Sequence, residues 1–503
     1  MSVRAKRIAV NSALLFYANV LTSGVSLVVV AILARYLGKA GFGRYGYVIS
    51  FCEIFVVLSE MGLSKILVRE VAQEPECTHD HLAMAWTLRM LLSGLVMGIL
   101  LVNTRGPGMV PEVRAAIWVY AVSQVVFNLT ELFNSVFRAY QQMEYQAAVV
   151  TLAQVLILVL TLGAIFLNLG LMGVFAATLA ANVARFFLGW WLTARRFARL
   201  GLSGDVRGMA RLFRESFPVG LSLLLRRYIW RGGVVLLATW QGDAAAGILY
   251  GPLRVVEQMR IIPMSMVGSI LPVLSHRAAR SPARFASAFG KSLKVFVLLS
   301  LPLAVCLSFL AEPIVAILLG EKLAESADIL RLLGWAVVFT FPNFLIGTAL
   351  TAVGKQYLEA LGLALGLGAG YAVLWATVEA WGPLGVCWSI LTAEGTFLVL
   401  GLGVSARYLP WRRLAWPLAK VGLAALLMAL VFSLGRGIHF LVTTPVALSA
   451  FAVALLALRA LDAEEMEAFL EVLPGPARRW LLAWLPRRGH GATFSTENRR
   501  DQA

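Results

Sequence analysis

SLLLRRYIWRGGVVLL, residues 222–237, decides what kind of molecule this is. Leucine, valine and aromatic side chains surround Arg226, Arg227 and Arg231. A guanidinium at the centre of a bilayer costs ~2.5–3.5 kcal/mol on insertion scales. Either this stretch lies outside a membrane, or its charges face something polar inside a protein. Composition answers the first alternative. The chain has 503 residues, 59% of them hydrophobic and 14% charged, with mean hydropathy +0.79. Soluble domains are far less apolar.

Working outward, runs of the ~20 apolar residues that span a bilayer recur along the whole chain. Fourteen are read, from 10–34 and 45–64 through 214–239 and 245–272 to 416–435 and 438–458. The run at 45–64 is the weakest, because Glu53 and Glu60 interrupt it. The first run has no small-residue cleavage site behind it and reads as a retained span rather than a signal peptide. The formal net charge of +17 invites a nucleic-acid reading. Its distribution argues against one, since Lys and Arg collect in alternate loops, richest at 195–214 and 275–294. That is the positive-inside pattern of an even number of spans, with both termini in the cytoplasm. The basic loops then meet anionic membrane lipid and no nucleic acid.

The expected fold is an all-α polytopic membrane protein. About 14 transmembrane helices form two pseudo-symmetric six-helix lobes around a central cavity, plus two extra helices. A weak internal repeat carries this reading. GKAGFGRYGYVISFCE (38–53) aligns with GDAAAGILYGPLRVVE (242–257) at an offset of 204, matching Gly38, Ala40, Gly43 and Glu53 to Gly242, Ala244, Gly247 and Glu257. An offset spanning an even number of helices keeps both copies in one orientation. The divisions are 1–200 for the first lobe, 201–410 for the second and 411–460 for the extra helices. A cytoplasmic amphipathic segment and polar tail follow at 461–503.

Motifs exclude other machinery. There is no G-x-x-x-x-G-K-[ST], hence no ATPase engine in the chain. GLALGLGAG (362–370) has a dinucleotide-like spacing but sits inside a span, where small residues let helices approach closely. ECTHDH (76–81) gathers Cys77, His79, Asp80 and His81; it reads as a solvated loop rather than a metal site. No cofactor and no catalytic residues are expected.

The candidate site is made of intramembrane charge. Arg227 and Arg231, four apart, share a helix face, with Arg226 to one side. Arg254, Glu257 and Arg260 recur every three residues on the next span. Facing them into one polar cavity sets five cations against one acid, and the surplus favours an anion; arginine's fork suits phosphate in particular. The alternative is that Arg226 and Arg227 snorkel to the surface while Glu257 balances its neighbours. Arg89 and Arg185, nearer span ends, join the cavity or snorkel. Pro218, Pro252, Pro263 and Pro272 cluster in or near these two spans and can kink them.

ILARYLGKAGFGRYGYVISFCEIFVVLSEMGLSKILVREVA (32–72) resembles the opening of bacterial polysaccharide (O-antigen type) flippases of the multidrug/oligosaccharidyl-lipid/polysaccharide exporter superfamily. So do RESFPVGLSLLLRR (214–227), 242–276 and 301–335. The resemblance implies alternating access that moves polyprenyl-pyrophosphate-linked oligosaccharide across the bacterial cytoplasmic membrane. Polysaccharide polymerase or glycosyltransferases would work beside it. Related lipid II flippases hold the pyrophosphate with cavity arginines, and Arg254 or Arg260 would occupy one such position. The first span here has only Arg35, at its end, which departs from the lipid II pattern. Glu53 and Glu257 are candidates for ion coupling or charge balance. Two other readings stay open. A multidrug–cation antiporter of the same superfamily would want net acid in its cavity. A membrane glycan polymerase or ligase would want a large catalytic loop.

Overall fold

A computed structural model describes residues 3–106, 109–405, 411–435 and 437–460. The amphipathic segment and tail expected at 461–503 lie outside these, as do the side chains of residues 3–17 and of Pro272. Among the described residues every element is helical. The first half comprises α1 (Val3–Glu60), α2 (Leu63–Gln73), α3 (Thr78–Thr104), α4 (Pro111–Ala139), α5 (Met143–Phe166) and α6 (Gly170–Arg196). The second comprises α7 (Val206–Arg227), α8 (Gly233–Gln241), α9 (Asp243–Gln258), α10 (Ile261–Arg280), α11 (Pro282–Phe309), α12 (Ala311–Leu318), α13 (Ser326–Leu333), α14 (Ala336–Ala352), α15 (Gln356–Trp381) and α16 (Pro383–Ser405). α17 (Trp411–Leu434) and α18 (Phe440–Ala457) pair with each other and pack on α11.

Each of the fourteen apolar runs falls on helix, apart from their ends and short turns inside those at 45–64, 245–272, 293–318 and 328–352. Among the described residues eleven helical stretches are long and apolar enough to cross a membrane. The first of these, Val20–Gln73, contains a break at Gly38 and so holds two expected spans. The two remaining runs fall on α7–α8 and α9–α10, where the arginines lower the hydropathy. Large apolar side chains such as Val102, Phe166, Val399 and Leu434 are exposed, as lipid-facing residues are. The chain is therefore a multi-pass membrane protein.

Several spans are broken rather than continuous. The run at 45–64 ends at Gly62 (φ 78), and amphipathic α2 follows it. The segment read as a loop at 76–81 is a 3₁₀ turn, Pro75–Cys77, running into the first turn of α3. There His79 Nδ1 meets the Arg199 carbonyl at 2.9 Å, and His81 Nε2 lies 3.5 Å from Glu74. Among the described residues no group of His, Cys, Asp and Glu has metal-site spacing.

The repeat is visible in the backbone. Gly38 (φ 67, ψ −176) and Gly242 (φ 86, ψ 175) adopt the same conformation, one that L side chains rarely enter. Each starts a helix that packs against the other. A Cβ on Gly43 would lie 1.7 Å from the Asp243 carbonyl, and one on Gly247 would lie 2.2 Å from the Lys39 carbonyl. These two contacts are exchanged by the offset of 204, as a two-fold axis between the halves requires. GLALGLGAG serves packing too. Gly366 and Gly370 let α15 meet the α16 carbonyls of Ala393 and Ser389, where a Cβ would come within 2.6 and 2.7 Å.

Candidate functional site

The charged stretch at 222–237 contains a helix defect. Tyr228–Gly232, between α7 and α8, is one turn of π-helix, and Arg231 sits in it. Such a turn inserts one residue into the helical register and is frequent at functional sites. The Tyr371 hydroxyl fills the gap. It donates to the Tyr228 carbonyl at 3.4 Å and comes so close to Gly232 that a Cβ there would clash with it.

The π-turn delivers Arg231 into the centre of the bundle. Its side chain is 1% exposed and forks onto two carboxylates: Nε donates to Glu53 at 2.8 Å and Nη2 to Glu257 at 2.8 Å. Glu53 and Glu257 are the two glutamates matched by the repeat, one from each half. Arg227 Nη1 reaches the same Glu53 oxygen, Oε2, at 2.9 Å. Arg254 donates to Glu257 at 3.3 Å and to Ser26 Oγ at 3.3 Å. Arg226 pairs with Glu359 at 2.9 Å, its guanidinium lying over the Phe397 ring at 5.2 Å. Arg260 differs from the rest. Among the described residues it has no carboxylate partner, and its guanidinium lies between the rings of Trp230 and Phe344, 5.3 Å from each centroid.

The five arginines of the two charged spans are thus brought together, but the balance of five cations against one acid needs correcting. Glu53 and Glu359 join Glu257, so three carboxylates meet five guanidiniums, and positive charge still remains. Glu359 went unread because it lies near the start of its span, where a carboxylate reaches water without a partner. Glu394 is a fourth acid beside the cluster, leaving five guanidiniums against four carboxylates; it is 1% exposed and accepts from Asn343 Nδ2 and from Nε1 of Trp230, the ring under Arg260, each at 2.7 Å.

Arg89 and Arg185 lie apart from this cluster, within the first half, and both are buried in protein rather than snorkelling. Arg185 binds Glu131 at 2.5 Å and covers the Phe127 ring at 4.4 Å. Arg89 is 0% exposed; it donates to the Asn128 carbonyl at 2.5 Å and to Ser64 Oγ at 3.1 Å, tying α2 to α4. Removing it strands those acceptors and leaves a cavity. Arg89→Ala is therefore expected to lower the Tm of the purified protein by several degrees. Arg89→Met, which refills the volume of the stem, should recover part of that loss in the same thermal scan.

Fold and charge cluster together are those of a polytopic helical membrane protein with a charged centre. The family profile described as polysaccharide biosynthesis protein matches residues 8–277, more than half of the sequence, and the chain belongs to that family. A second profile, MatE, matches residues 241–375. No curated relative matches the sequence. Among solved structures, the chain is similar to the lipid II flippase MurJ in an inward closed conformation. That match has 14% identity and a TM-score of 0.72, over 90% of this chain and 98% of the other. An inward-facing multidrug resistance MATE family transporter of the MOP superfamily follows, with 16% identity and a TM-score of 0.65 over 78% and 94%. A MOP superfamily transporter from Pyrococcus furiosus, described as having a binding pocket of reverse polarity, shares 14% identity and a TM-score of 0.58 over 79% and 94%. At these identities the likeness is one of fold.

Proposed function

We propose that this protein is a flippase. It carries polyprenyl-pyrophosphate-linked oligosaccharide across the bacterial cytoplasmic membrane for surface polysaccharide synthesis, by alternating access, with both termini in the cytoplasm. The observation that carries this reading is the arginine cluster at the middle of the bundle, with more guanidinium than carboxylate and with Arg260 uncommitted. A pyrophosphate offers the planar, multiply charged acceptors that guanidinium forks fit. Arg260, and Arg254 with its single long bond to Glu257, are the groups most available to it. Arg227 and Arg231 complete the ring of donors. Arg89 and Arg185 serve the first half of the bundle, and a direct role for them would need that half to open.

No covalent chemistry is required. The sugars ride in the polar interior while the polyprenyl tail stays in lipid. An anion leaving a negative-inside cell gains ~2.3 kcal/mol per charge per 100 mV, so two charges bias the cycle without ATP. Glu53 and Glu257 are placed to balance or couple the movement. The basic cluster disfavours a cation antiporter, which would need net acid there. Polymerases and glycosyltransferases supply and consume such a substrate beside it.

The test uses a host whose surface polysaccharide depends on this chain. Among the described residues Arg260→Ala breaks no ion pair but empties the seat between Trp230 and Phe344, so export is read per unit of protein in the membrane. Surface glycan should fall at least ~10-fold, the effect of losing one charged contact of ~1.4 kcal/mol or more, while lipid-linked precursor accumulates inside. Arg254→Ala should act in the same direction. Full surface glycan in both variants at normal abundance would remove the arginines from the transport path.

A further inference from the structure

Arg227 and Arg231 are not vacant. One oxygen of Glu53, Oε2, accepts from Arg227 Nη1 at 2.9 Å and from Arg231 Nε at 2.8 Å. A single anionic oxygen bridging two guanidiniums is what a phosphate oxygen would do in the same seat. The two arginines stand at the end of α7 and in the following π-turn, in the second half of the chain, whereas Glu53 stands on α1, in the first. Glu257, the repeat-related carboxylate, binds Arg231 from within the arginines' own half.

The other ion pairs that join the halves among the described residues lie toward the ends of the helices. Lys39 meets Glu325 at 2.9 Å and Arg44 meets Asp243 at 2.8 Å near the Gly38 and Gly242 turns. Arg69 meets Glu215 at the opposite end. At the middle of the bundle the ion pairs between the halves are those of Glu53, beside neutral hydrogen bonds from Arg254 and Gln258 to Ser26 Oγ at 3.3 and 3.4 Å.

From this we infer that Glu53 is an internal stand-in for the substrate's anion, so that substrate displaces it and in doing so unclamps the two halves. The inference rests on the arginine cluster being the anion site proposed above. The empty carrier keeps its cations neutralised by a carboxylate from the facing half, which holds the cavity shut. A pyrophosphate arriving at Arg260 and Arg254 has more charge and more acceptors than Glu53 and takes over Arg227 and Arg231. Glu257 stays with its own half, so the ion pairs that break are the ones between halves. Binding and opening become one event, and Glu53 takes the guanidiniums back when the cargo leaves.

The test measures inorganic pyrophosphate binding to the purified full-length protein in detergent, for wild type, Glu53→Gln and Glu53→Asp. Gln keeps the shape and removes the competing charge; Asp keeps the charge and withdraws it by one methylene. If Glu53 competes, Gln binds roughly tenfold tighter than wild type and Asp binds tighter by a smaller factor. Affinity unchanged or weakened in both variants overturns the competition while leaving the arginine site in place. No pyrophosphate binding by any of the three proteins, each monodisperse, sinks the arginine site itself and this inference with it. Should Glu53→Gln not fold, Glu53→Asp decides, because the two guanidiniums still face a carboxylate.

Discussion

Replacing Arg231 with alanine is expected to abolish export and to reduce the amount of folded protein. Arg231 is 1% exposed and is the shared counter-ion of Glu53 and Glu257, at 2.8 Å from each. Removing one partner from a buried ionic group costs ~3–5 kcal/mol, because the remaining charges stay buried without it. Here two carboxylates from opposite halves would be left facing each other, with only Arg227 and Arg254 to balance them. Lysine does not repair the site. Its ammonium is a point charge and cannot place Nε on one carboxylate and Nη2 on another. Arg231→Lys should regain part of the abundance and little export. The combination Arg231→Gln, Glu53→Gln leaves Glu257 paired with Arg254 and frees only the half-exposed Arg227. It should restore abundance further while export stays absent. Membrane abundance, a thermal unfolding curve and surface glycan, measured on the same cells, separate the structural part of the effect from the transport part. Wild-type export by the double variant would mean that the Arg231–Glu53 pair carries no transport role.

The second large effect lies where the two halves touch. Gly43→Val places a side chain whose Cβ alone would sit 1.7 Å from the Asp243 carbonyl. The neighbour is backbone in a helical first turn, so it cannot rotate aside. The helices beginning at Gly38 and Gly242 must separate, and the Phe42, Tyr45 and Tyr250 rings packed between them lose their contacts. Overpacking by a methyl group or two typically costs ~1–3 kcal/mol, and this contact is tighter than most. Gly43→Val is expected to yield little monodisperse protein on size-exclusion chromatography. Gly247→Val, which would meet the Lys39 carbonyl at 2.2 Å, should behave the same way because the repeat exchanges the two contacts. Gly24→Ala, with nothing within 4 Å, is the control and should elute like wild type. A wild-type profile for both valine variants would show that the halves do not meet along this line.

Much of this architecture was legible in the sequence because lipid leaves few choices. Backbone groups in hydrocarbon must be satisfied within a helix, so a long apolar run is a helix wherever it occurs. The short match between 38–53 and 242–257 was also informative, since glycine is retained where a positive φ or a close backbone approach demands it. What periodicity could not show was where helices break. The π-turn at Tyr228–Gly232 depends on a tyrosine 143 residues away filling its gap. No local pattern announces that. The arginines were legible as a cluster, but their partners were not. Glu53 is legible as an interruption of its span and as a candidate for charge balance, but not as the carboxylate that meets two arginines from the other half. Glu359 looked like an ordinary charge near a helix start. Spacing along one helix tells which side chains share a face; it does not tell which face of which other helix they meet. Arg89 illustrates the same limit, since its acceptors on α2 and α4 lie 25 and 39 residues away.

The central claim is that the uncommitted guanidinium of Arg260 and its neighbours carry the anionic headgroup across the membrane. Its most direct test is translocation by purified protein in sealed vesicles, using a polyprenyl-pyrophosphate-linked oligosaccharide and a lectin or enzyme that reads the sugar on one side only. Wild-type protein is expected to move the sugar across, faster when an imposed potential favours exit of negative charge. Arg260→Ala, reconstituted to the same density, should move it at no more than about a tenth of that rate. Equal rates for the two proteins would contradict the assignment of the arginine cluster as the path of the pyrophosphate.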